Sequence, residues 1–417
     1  MTLMTTIRRA SGALGVGLLA SCNFFDVTNP GPIADENLDT PGAMPGVVTG
    51  MAFDLSRAVN IAVQATPIMS DELYHGGSYT PEGLFNRGII RPEDANDLWG
   101  TIQRARWVAE SGIERMKTVL GEGFATNALS ARAYIYAGLS NRLAGENLCE
   151  AVIDGGPAED FKVYFTRADA NFTQAITIAN TLTGSLKDSL LRVAYGGRAS
   201  VRAAQGKWAE AAADAALVPT SYVFVAPFST NTTAENNGLV TETTDRSEYT
   251  VYNSQWAQVF KDPRVPWDTV KTSGGAVAVG QDGRTPFFRQ RKYVNKGSDV
   301  PMVKGTEMLM LRAEAALRNN DVPGAMTLIN QQRAFYSTAA GPLPALTATT
   351  AADAWRILEK ERGAVLWLET RRFWDLRRWN AEPPPIQNTF LNNRDKCIPI
   401  SQDEVQSNPN LRGRAGG

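Results

Sequence analysis

Small and large apolar residues recur with a helical period along most of the chain, in pairs of segments separated by short polar breaks. The clearest pair lies within residues 189–219, where one apolar helix pattern ends at Gly206 and the next begins at Trp208. An aromatic residue two positions after a turn glycine, small residues at close crossings and a closing proline are typical of a tetratricopeptide-like hairpin. Such a pair cannot bury its apolar face alone, so the pattern predicts stacking against neighbouring pairs.

Three further hairpins are predicted from the same pattern. Their helices are expected at 47–65 with 98–119, at 128–143 with 167–182, and on either side of a polar break at 319–321 within 306–333. In the last hairpin Thr306 and Asp321 stand where N-caps belong. The fold class that follows is mostly α, a tetratricopeptide-like scaffold of helix hairpins.

A long C-terminal helix is predicted from the capping-box spacing at 350–353 to about Trp379, before the prolines at 383–385 stop it. Charged and aromatic residues are mixed along its second half. We therefore expect its aromatic side chains to pack inward and its charged residues to form ion pairs along the flanks.

From about residue 221 to 303 the helical period fails, and threonine, turn residues and β-forming residues take over. A loop of this length is unusual in a compact domain unless it is functional or has structure of its own. We expect residues 41–417 to form a single domain with a loop-rich, partly β insertion at about 221–303.

The N-terminus has the pattern of an export signal. Arg8 and Arg9 precede a short apolar run that closes in Leu19-Ala20-Ser21-Cys22, which predicts a signal peptide at 1–21. The run is much shorter than the roughly 20 residues that span a bilayer. A cysteine in this context resembles the bacterial lipobox, so Cys22 is the predicted lipidation site, followed by a polar, proline-containing tether at 22–40.

Two cysteines remain, Cys149 and Cys397. An even pair in an exported protein favours a disulfide bond. The alternative is two buried thiols, because free cysteine packs like a small hydrophobic residue.

Composition excludes several kinds of chemistry. The charges nearly cancel, with 42 Lys and Arg against 43 Asp and Glu, so a neutral ligand fits better than nucleic acid. His75 is the only histidine, which excludes a multi-histidine zinc site and leaves a single possible base for a catalytic triad. No phosphate-binding or dinucleotide-binding loop occurs, and we expect no cofactor.

Ordered blocks in the C-terminal third resemble the SusD/RagB family. The blocks are Thr306 to Ala315, then Ala325, Ile329-Asn330 and Arg333, then Glu361-Arg362, Glu369 and Arg372 to Trp379, and finally Ile398-Pro399-Ile400, Glu404 and Asn408 to Leu411. Upstream blocks agree: Phe25-Asp26-Val27, Asn29-Pro30-Gly31, Asp262-Pro263-Arg264 and Lys292-Tyr293. The resemblance therefore spans nearly the whole chain after the signal peptide. The sequence departs from the family pattern at Val365, at Thr370, where glycine is usual, and at Cys149.

The resemblance implies a surface lipoprotein of the outer membrane with a tetratricopeptide-like scaffold. Members cap the extracellular face of a TonB-dependent, SusC-like barrel and deliver captured oligosaccharides, or sometimes peptides, without catalysis. One alternative is a glycoside hydrolase, which needs only two carboxylates; Asp71 and Glu72 are the candidate pair. A protein-interaction scaffold built on the helical repeats is the other.

Two stretches combine aromatic rings with polar side chains outside any helical period, the mixture that binds sugars. They are residues 71–87 and 246–256. Their ligand-binding candidates are Tyr74, His75, Tyr79, Arg87, Tyr249, Asn253 and Trp256. We expect both stretches to lie on one loop face, while the C-terminal blocks hold the scaffold together.

Overall fold

The computed structural model describes residues 35–414, so the predicted signal peptide, Cys22 and most of the 22–40 tether lie outside the described residues. The helices are α1 (Met44–Met69), α2 (Thr80–Asn86), α3 (Asn96–Leu120), α4 (Ala128–Asn147), α5 (Lys162–Asn180), α6 (Gly184–Ala204), α7 (Trp208–Ala216), α8 (Gly238–Val240), α9 (Gly305–Arg318), α10 (Val322–Tyr336), α11 (Ala351–Val365), α12 (Arg372–Asn380) and α13 (Gln402–Ser407). The strands are β1 (Tyr74–His75), β2 (Glu150–Val152), β3 (Ala158–Asp160), β4 (Val223–Ala226), β5 (Tyr249–Thr250), β6 (Trp267–Thr269), β7 (Phe288–Gln290) and β8 (Val300–Lys304). None of the helices in residues 35–414 is both long and apolar enough to cross a bilayer.

The four predicted hairpins are confirmed. Helix α1 packs on α3, α4 on α5, α6 on α7, and α9 on α10. The turn between α6 and α7 uses Gly206 at φ 77°, a backbone conformation that glycine adopts without strain. Contacts of α5 with α6 and of α7 with α9 then stack the hairpins on one another. The mostly α, tetratricopeptide-like fold class is therefore the observed one.

Two of the three predicted helix caps are correct. Asp321 accepts a hydrogen bond from the backbone N–H of Gly324 at 2.8 Å, and Thr350 accepts one from that of Asp353 at 3.1 Å. Thr306 is not a cap, because β8 runs directly into α9 and the N-cap position falls on Lys304. Lys304, the last residue of β8, has the extended backbone conformation expected of an N-cap, which the sequence pattern had assigned to Thr306.

The predicted long C-terminal helix is broken in two. Residues 366–371 separate α11 from α12, and within them Leu368 (φ 59°) and Thr370 (φ 64°) take the left-handed conformation. Thr370 is the position at which the sequence departs from the glycine usual in the family. Its positive φ is a physical reason for that glycine.

Buried side chains from other parts of the chain hold this break. Tyr293 Oη donates to the Leu368 carbonyl at 2.8 Å, and Lys292 donates to the Trp367 carbonyl. The Leu368 N–H donates to Glu72 at 2.6 Å. Burial raises the pKa of Glu72 to about 8 and lowers the pKa of Lys292 to about 8. These partners satisfy backbone groups that an unbroken helix would have paired internally.

Beneath the break lies a cluster of buried ion pairs. Arg362 contacts Asp375 at 2.7 Å and Glu307 at 3.6 Å, while Arg371 contacts Glu146 at 3.0 Å and Glu307 at 3.1 Å. These five side chains join α4, α9, α11 and α12, and all are almost fully buried. Buried charges persist only when they are paired, so the cluster fixes how these helices meet.

The insertion is partly β, as predicted. Strand β4 pairs with β8 in an antiparallel register that sets Val223 opposite Lys304, so the insertion leaves and re-enters the scaffold at one place. Inside it, β6 pairs with β7, and β5 pairs with β1 from outside the insertion. The insertion is therefore joined to the loop that follows α1.

A disulfide bond joins Cys149 to Cys397, with sulfur atoms 2.17 Å and α-carbons 5.0 Å apart. Beside it, Leu148 and Ile398 form a parallel bridge, and the Cys149 N–H donates to the Ile398 carbonyl at 2.9 Å. The C-terminal segment is thus attached covalently and by backbone pairing to the end of α4.

Candidate ligand-binding site

The two aromatic and polar stretches, residues 71–87 and 246–256, lie side by side. In the β1–β5 pair, Tyr74 faces Thr250 and His75 faces Tyr249. Beyond the strands, the Ser78 N–H donates to Glu248 at 2.9 Å. The two stretches therefore form one face of the molecule, although about 170 residues separate them in the chain.

A cavity of about 800 Å³ opens beside this face. Helix α1, helix α2, the start of α3 and the insertion wall it, together with Asp403 from α13. Its volume lies within the range of small-molecule sites, roughly 300 to 1,000 Å³. We call it the acidic cavity, for the residues described next.

Most of the charged side chains in its wall are carboxylates. Those that line it are Glu82, Glu93, Asp94, Asp97, Glu242 and Asp403. Arg57 is the only basic side chain among the described residues that line the cavity. Negative charge of this kind attracts cations and repels anions.

Two of these carboxylates hold their protons more tightly than a solvated glutamate. Burial, and then the charges of Glu248 and Glu82, raise the pKa of Glu242 to about 7. Burial also raises the pKa of Glu82, and the charges of Glu248 and Asp94 add to the effect. Crowded, partly desolvated carboxylates of this sort are characteristic of functional sites.

A polar stripe on α1 forms the opposite wall. Arg57, Asn60 and Gln64 follow one another at helical spacing on a helix whose other faces are largely buried and apolar. Asn60 Oδ1 accepts a hydrogen bond from the Gly238 N–H at 2.8 Å, which holds the insertion against the stripe. Amide and guanidinium groups in this position can bind hydroxyl groups of a ligand.

An aromatic stack lies further along the insertion. Trp267 packs on Phe288, with ring centroids 4.9 Å apart and planes at 9°, and on Phe260 at 4.0 Å. Tyr252 meets the edge of Phe288 at 5.3 Å. Phe260 ends the stack with 59% of its surface exposed. Exposed, supported ring faces are where sugar C–H groups can pack.

Four of the seven sequence-predicted ligand contacts reach the surface. Tyr79 is 40% exposed, and Arg246 lies over its ring at 4.4 Å from the centroid. Arg87 and Asn253 are exposed, and Tyr74 is half-buried. Their roles in ligand binding stay predictions.

The other three have buried side chains. His75 lies 3.8 Å from Glu248, and burial lowers its pKa although Glu248 raises it. Tyr249 is only 3% exposed but lines the acidic cavity. Trp256 is 1% exposed and packs against Gly363 of α11. Its assignment to a surface site is corrected, since the ring lies in the core.

The Asp71–Glu72 pair is not placed for glycoside hydrolysis. Glu72 is fully buried, and its carboxylate accepts the hydrogen bond from Leu368. Asp71 binds Arg372 through both oxygens. Neither carboxylate is free to face a substrate, so the structure gives this pair a structural role.

The acidic cavity could not be predicted from the sequence, because its walls come from segments that are distant in the chain. The polar stripe on α1 was the available signal, since polar residues at helical spacing on an apolar helix need a solvated or bound partner. Among residues 35–414, no cluster of three or more His, Cys, Asp and Glu side chains has a geometry that could hold a metal ion. The site therefore offers hydrogen bonding, charge and ring faces.

Comparison with known proteins shows which proteins have a similar sequence and fold. Residues 287–397 match the model of the SusD family. A SusD homolog from Bacteroides thetaiotaomicron aligns with a TM-score of 0.67 and 12% identity, over 90% of this chain and 97% of that one. A SusD-like carbohydrate-binding protein from Bacteroides fragilis aligns with a TM-score of 0.65 and 14% identity, over 90% and 99%.

A third solved structure, a SusD-like carbohydrate-binding protein from Bacteroides vulgatus, aligns with a TM-score of 0.61 and 15% identity, over 81% of this chain and 83% of that one. No curated protein matches the sequence. The matched segment contains β7, β8, α9 to α12 and the buried ion pairs of Arg362 and Arg371. The chain is therefore similar to the SusD family over this segment, and it shares the fold of these SusD-like structures over most of its length.

Proposed function

We propose that this protein is an outer-membrane surface lipoprotein that captures oligosaccharides and passes them to a TonB-dependent, SusC-like barrel without catalysis. The family supports a binding role, and two of the similar structures are described as carbohydrate-binding proteins. The polar cavity and the aromatic stack of the insertion supply the two kinds of contact that sugars require.

The observation that carries the proposal is the position of the acidic cavity. It opens where residues 71–87 meet residues 246–256, on the face that the sequence pattern assigned to ligand binding. Tyr79 is 40% exposed on this face, and Phe260 is 59% exposed at the end of the aromatic stack in the insertion. Loops on a rigid helical frame are where binding sites usually lie.

A glycan array on the soluble form that lacks residues 1–22 tests capture. We expect a defined set of oligosaccharides to bind, and binding to weaken in Phe260→Ala, with little change in melting temperature, because the ring is exposed. Val294→Ala is the matched control, since Val294 is also exposed in the insertion and contributes no ring to the aromatic stack. An array with no binder would contradict the proposal.

The lipid anchor is tested separately. Cys22→Ala should abolish labelling by a palmitate analogue and release the protein from membranes, because the thiol is the acceptor in the lipobox context. Equal labelling of both forms would contradict the anchor. Co-purification of the intact lipoprotein with a TonB-dependent barrel tests delivery, and recovery without any such partner would contradict that step.

A glycoside hydrolase is the second candidate, and one observation favours it. Glu82 and Glu242 line the same cavity and both have a raised pKa, the property of a catalytic acid. Incubation with each bound glycan should yield no new reducing ends if the protein only binds. Hydrolysis that is lost in Glu242→Gln would overturn the non-catalytic proposal.

A further inference from the structure

The charges of the acidic cavity are only partly neutralised by its surroundings. Asp94 pairs with Arg91 at 2.6 Å, and Glu242 lies 3.9 Å from Arg246. Glu82, Asp97 and Asp403 form no ion pair within the described part of the chain. The cavity therefore keeps an excess of negative charge that a bound cation would neutralise.

Two polar side chains on the wall have atoms without a hydrogen-bond partner among the described residues. Tyr249 is 97% buried and lines the cavity, yet its hydroxyl makes no hydrogen bond to any described residue. The charges of Glu82 and Glu242 act on this phenol and, with burial, raise its pKa well above the usual value. One oxygen of Glu82 is also buried without a partner. Buried polar groups are normally hydrogen-bonded, so the Glu82 oxygen points to a missing donor, and the Tyr249 hydroxyl is available to the same ligand.

We propose that the acidic cavity binds an oligosaccharide that carries a protonated amine, that is, an amino sugar whose nitrogen is not acetylated. This inference rests on the proposed function and names its ligand class. An ammonium group supplies three donors and one positive charge. These three N–H donors can each bind one acceptor oxygen, on Glu82, on Glu242 and on the hydroxyl of Tyr249. An anionic sugar would meet like charges on the same wall, and a neutral sugar would leave the excess charge uncompensated.

A sugar is favoured over a basic peptide by the aromatic stack, whose Phe288 donates its backbone N–H to Thr250, the residue next to Tyr249, at 2.8 Å. Tyr252, its first member, lies three positions along the chain from Tyr249 of the cavity wall. The stack ends in the exposed ring of Phe260. Flat exposed rings suit the C–H faces of sugars, while the cavity takes the charged substituent.

The experiment is calorimetric titration of the soluble protein at about pH 7, where Glu242, with a pKa of about 7, is partly ionised and a primary amine is still largely protonated. The probes are the tetramers of glucosamine, N-acetylglucosamine and galacturonic acid, together with tetralysine. The glucosamine tetramer should bind about tenfold more tightly than its acetylated form, as expected for one charge-assisted hydrogen bond. Its affinity should fall as salt is raised, whereas that of the neutral tetramer should not.

Two conservative variants test the site. Glu82→Gln and Glu242→Gln keep the shape of each side chain, so each should weaken glucosamine binding about tenfold. Binding of the N-acetylated tetramer should weaken less than binding of the glucosamine tetramer, because the acetylated sugar carries no positive charge for these carboxylates to bind. Glu122→Gln is the matched control, because Glu122 is exposed just beyond the C-terminal end of α3, whereas the cavity lies at the other end of that helix. Melting curves establish that each variant is folded.

The outcomes separate this inference from the proposed function. Equal affinity for the acetylated and free-amine tetramers, with neutral glycans bound, would overturn the amine preference and leave glycan capture intact. Tighter binding of tetralysine than of glucosamine tetramer would overturn the choice of a sugar. Binding of none of these probes, with an empty glycan array, would contradict the proposed function itself.

Discussion

Asp71 and Arg372 form a bidentate ion pair across 301 positions of the chain, with N–O distances of 2.7 and 2.6 Å. Arg372 is almost fully buried at the start of α12, and Asp71 begins the stretch that forms half of the ligand face. Gln255, from the other stretch, also donates to Asp71 at 2.7 Å. One carboxylate thus fixes both loops to the scaffold.

Asp71→Ala should therefore lower the free energy of unfolding by about 3 kcal/mol, because it leaves a buried guanidinium with only Glu359 as a partner. Urea denaturation measures the loss. The matched control is Arg356→Ala, which breaks an exposed pair with Asp353 and should cost less than about 1 kcal/mol. Equal losses in the two variants would contradict the assigned role.

Glu72 should make stability depend on pH. Its pKa is about 8 in the fold and near 4.5 in a solvated glutamate. Between these values the folded state holds a proton that the unfolded state lacks, so the free energy of unfolding falls as pH rises. Glu72→Gln should remove this slope and become more stable than the parent by several kcal/mol at high pH.

Urea denaturation at about pH 5, 7 and 9 measures the effect of Glu72→Gln. Lys292 also titrates near 8, and the charge of Glu72 raises its pKa, so the two proteins differ in the titration of Glu72 and in a smaller change at Lys292. Exposed Glu122→Gln should leave the slope unchanged. Parallel curves for the parent and Glu72→Gln would rule out a proton on Glu72.

Three aromatic variants separate core from surface. Trp256 and Trp374 are 1% and 6% exposed, and Trp374 packs on Phe165 at 5.1 Å between ring centroids. Trp256→Ala and Trp374→Ala should each cost about 3 to 5 kcal/mol of unfolding free energy. Tyr79→Ala removes an exposed ring and its contact with Arg246, and should cost about 1 kcal/mol or less. Thermal melts of all three measure this ranking, and a Tyr79 variant that melts lowest would reverse it.

The Cys149–Cys397 bond should contribute strongly to stability because its sequence separation is 248 residues. The double variant Cys149→Ala/Cys397→Ala is expected to lose about 2 to 5 kcal/mol, mainly through greater freedom of the unfolded chain. It should still fold, since the backbone pairing of Leu148 with Ile398 does not depend on sulfur. Denaturation under oxidising and reducing conditions measures both effects. A parent whose stability does not respond to a reductant that cleaves the bond would contradict the estimate.

The helix hairpins could be predicted from the sequence because their apolar spacing reflects contacts between neighbours in the chain. The break between α11 and α12 could not. The hydrogen bond that Tyr293 makes to Leu368 comes from 75 positions upstream, and the carboxylate of Glu72 comes from 296 positions upstream. The local sequence of residues 366–371 carries no information about those distant partners. Their tertiary hydrogen bonds override the helix propensity of this segment.

The same limit applies to the ligand face. The mixture of aromatic and polar residues identified the two stretches that meet there. It could not tell which rings point outward, because Tyr79 and Trp256 occur in similar local contexts and differ only in what packs over them. The polar stripe on α1 is recognisable as a cavity wall only once the position of the insertion opposite it is known.

The bond between Cys149 and Cys397 closes a covalent ring that includes the whole insertion, from β4 to β8. A protease that cuts once in an exposed loop of the insertion would open this ring without separating the two pieces. The nicked protein would run as one band on a non-reducing gel and as two after reduction. The scaffold on both sides of the cut would stay tethered, so one proteolytic event in the insertion would not release half of the molecule.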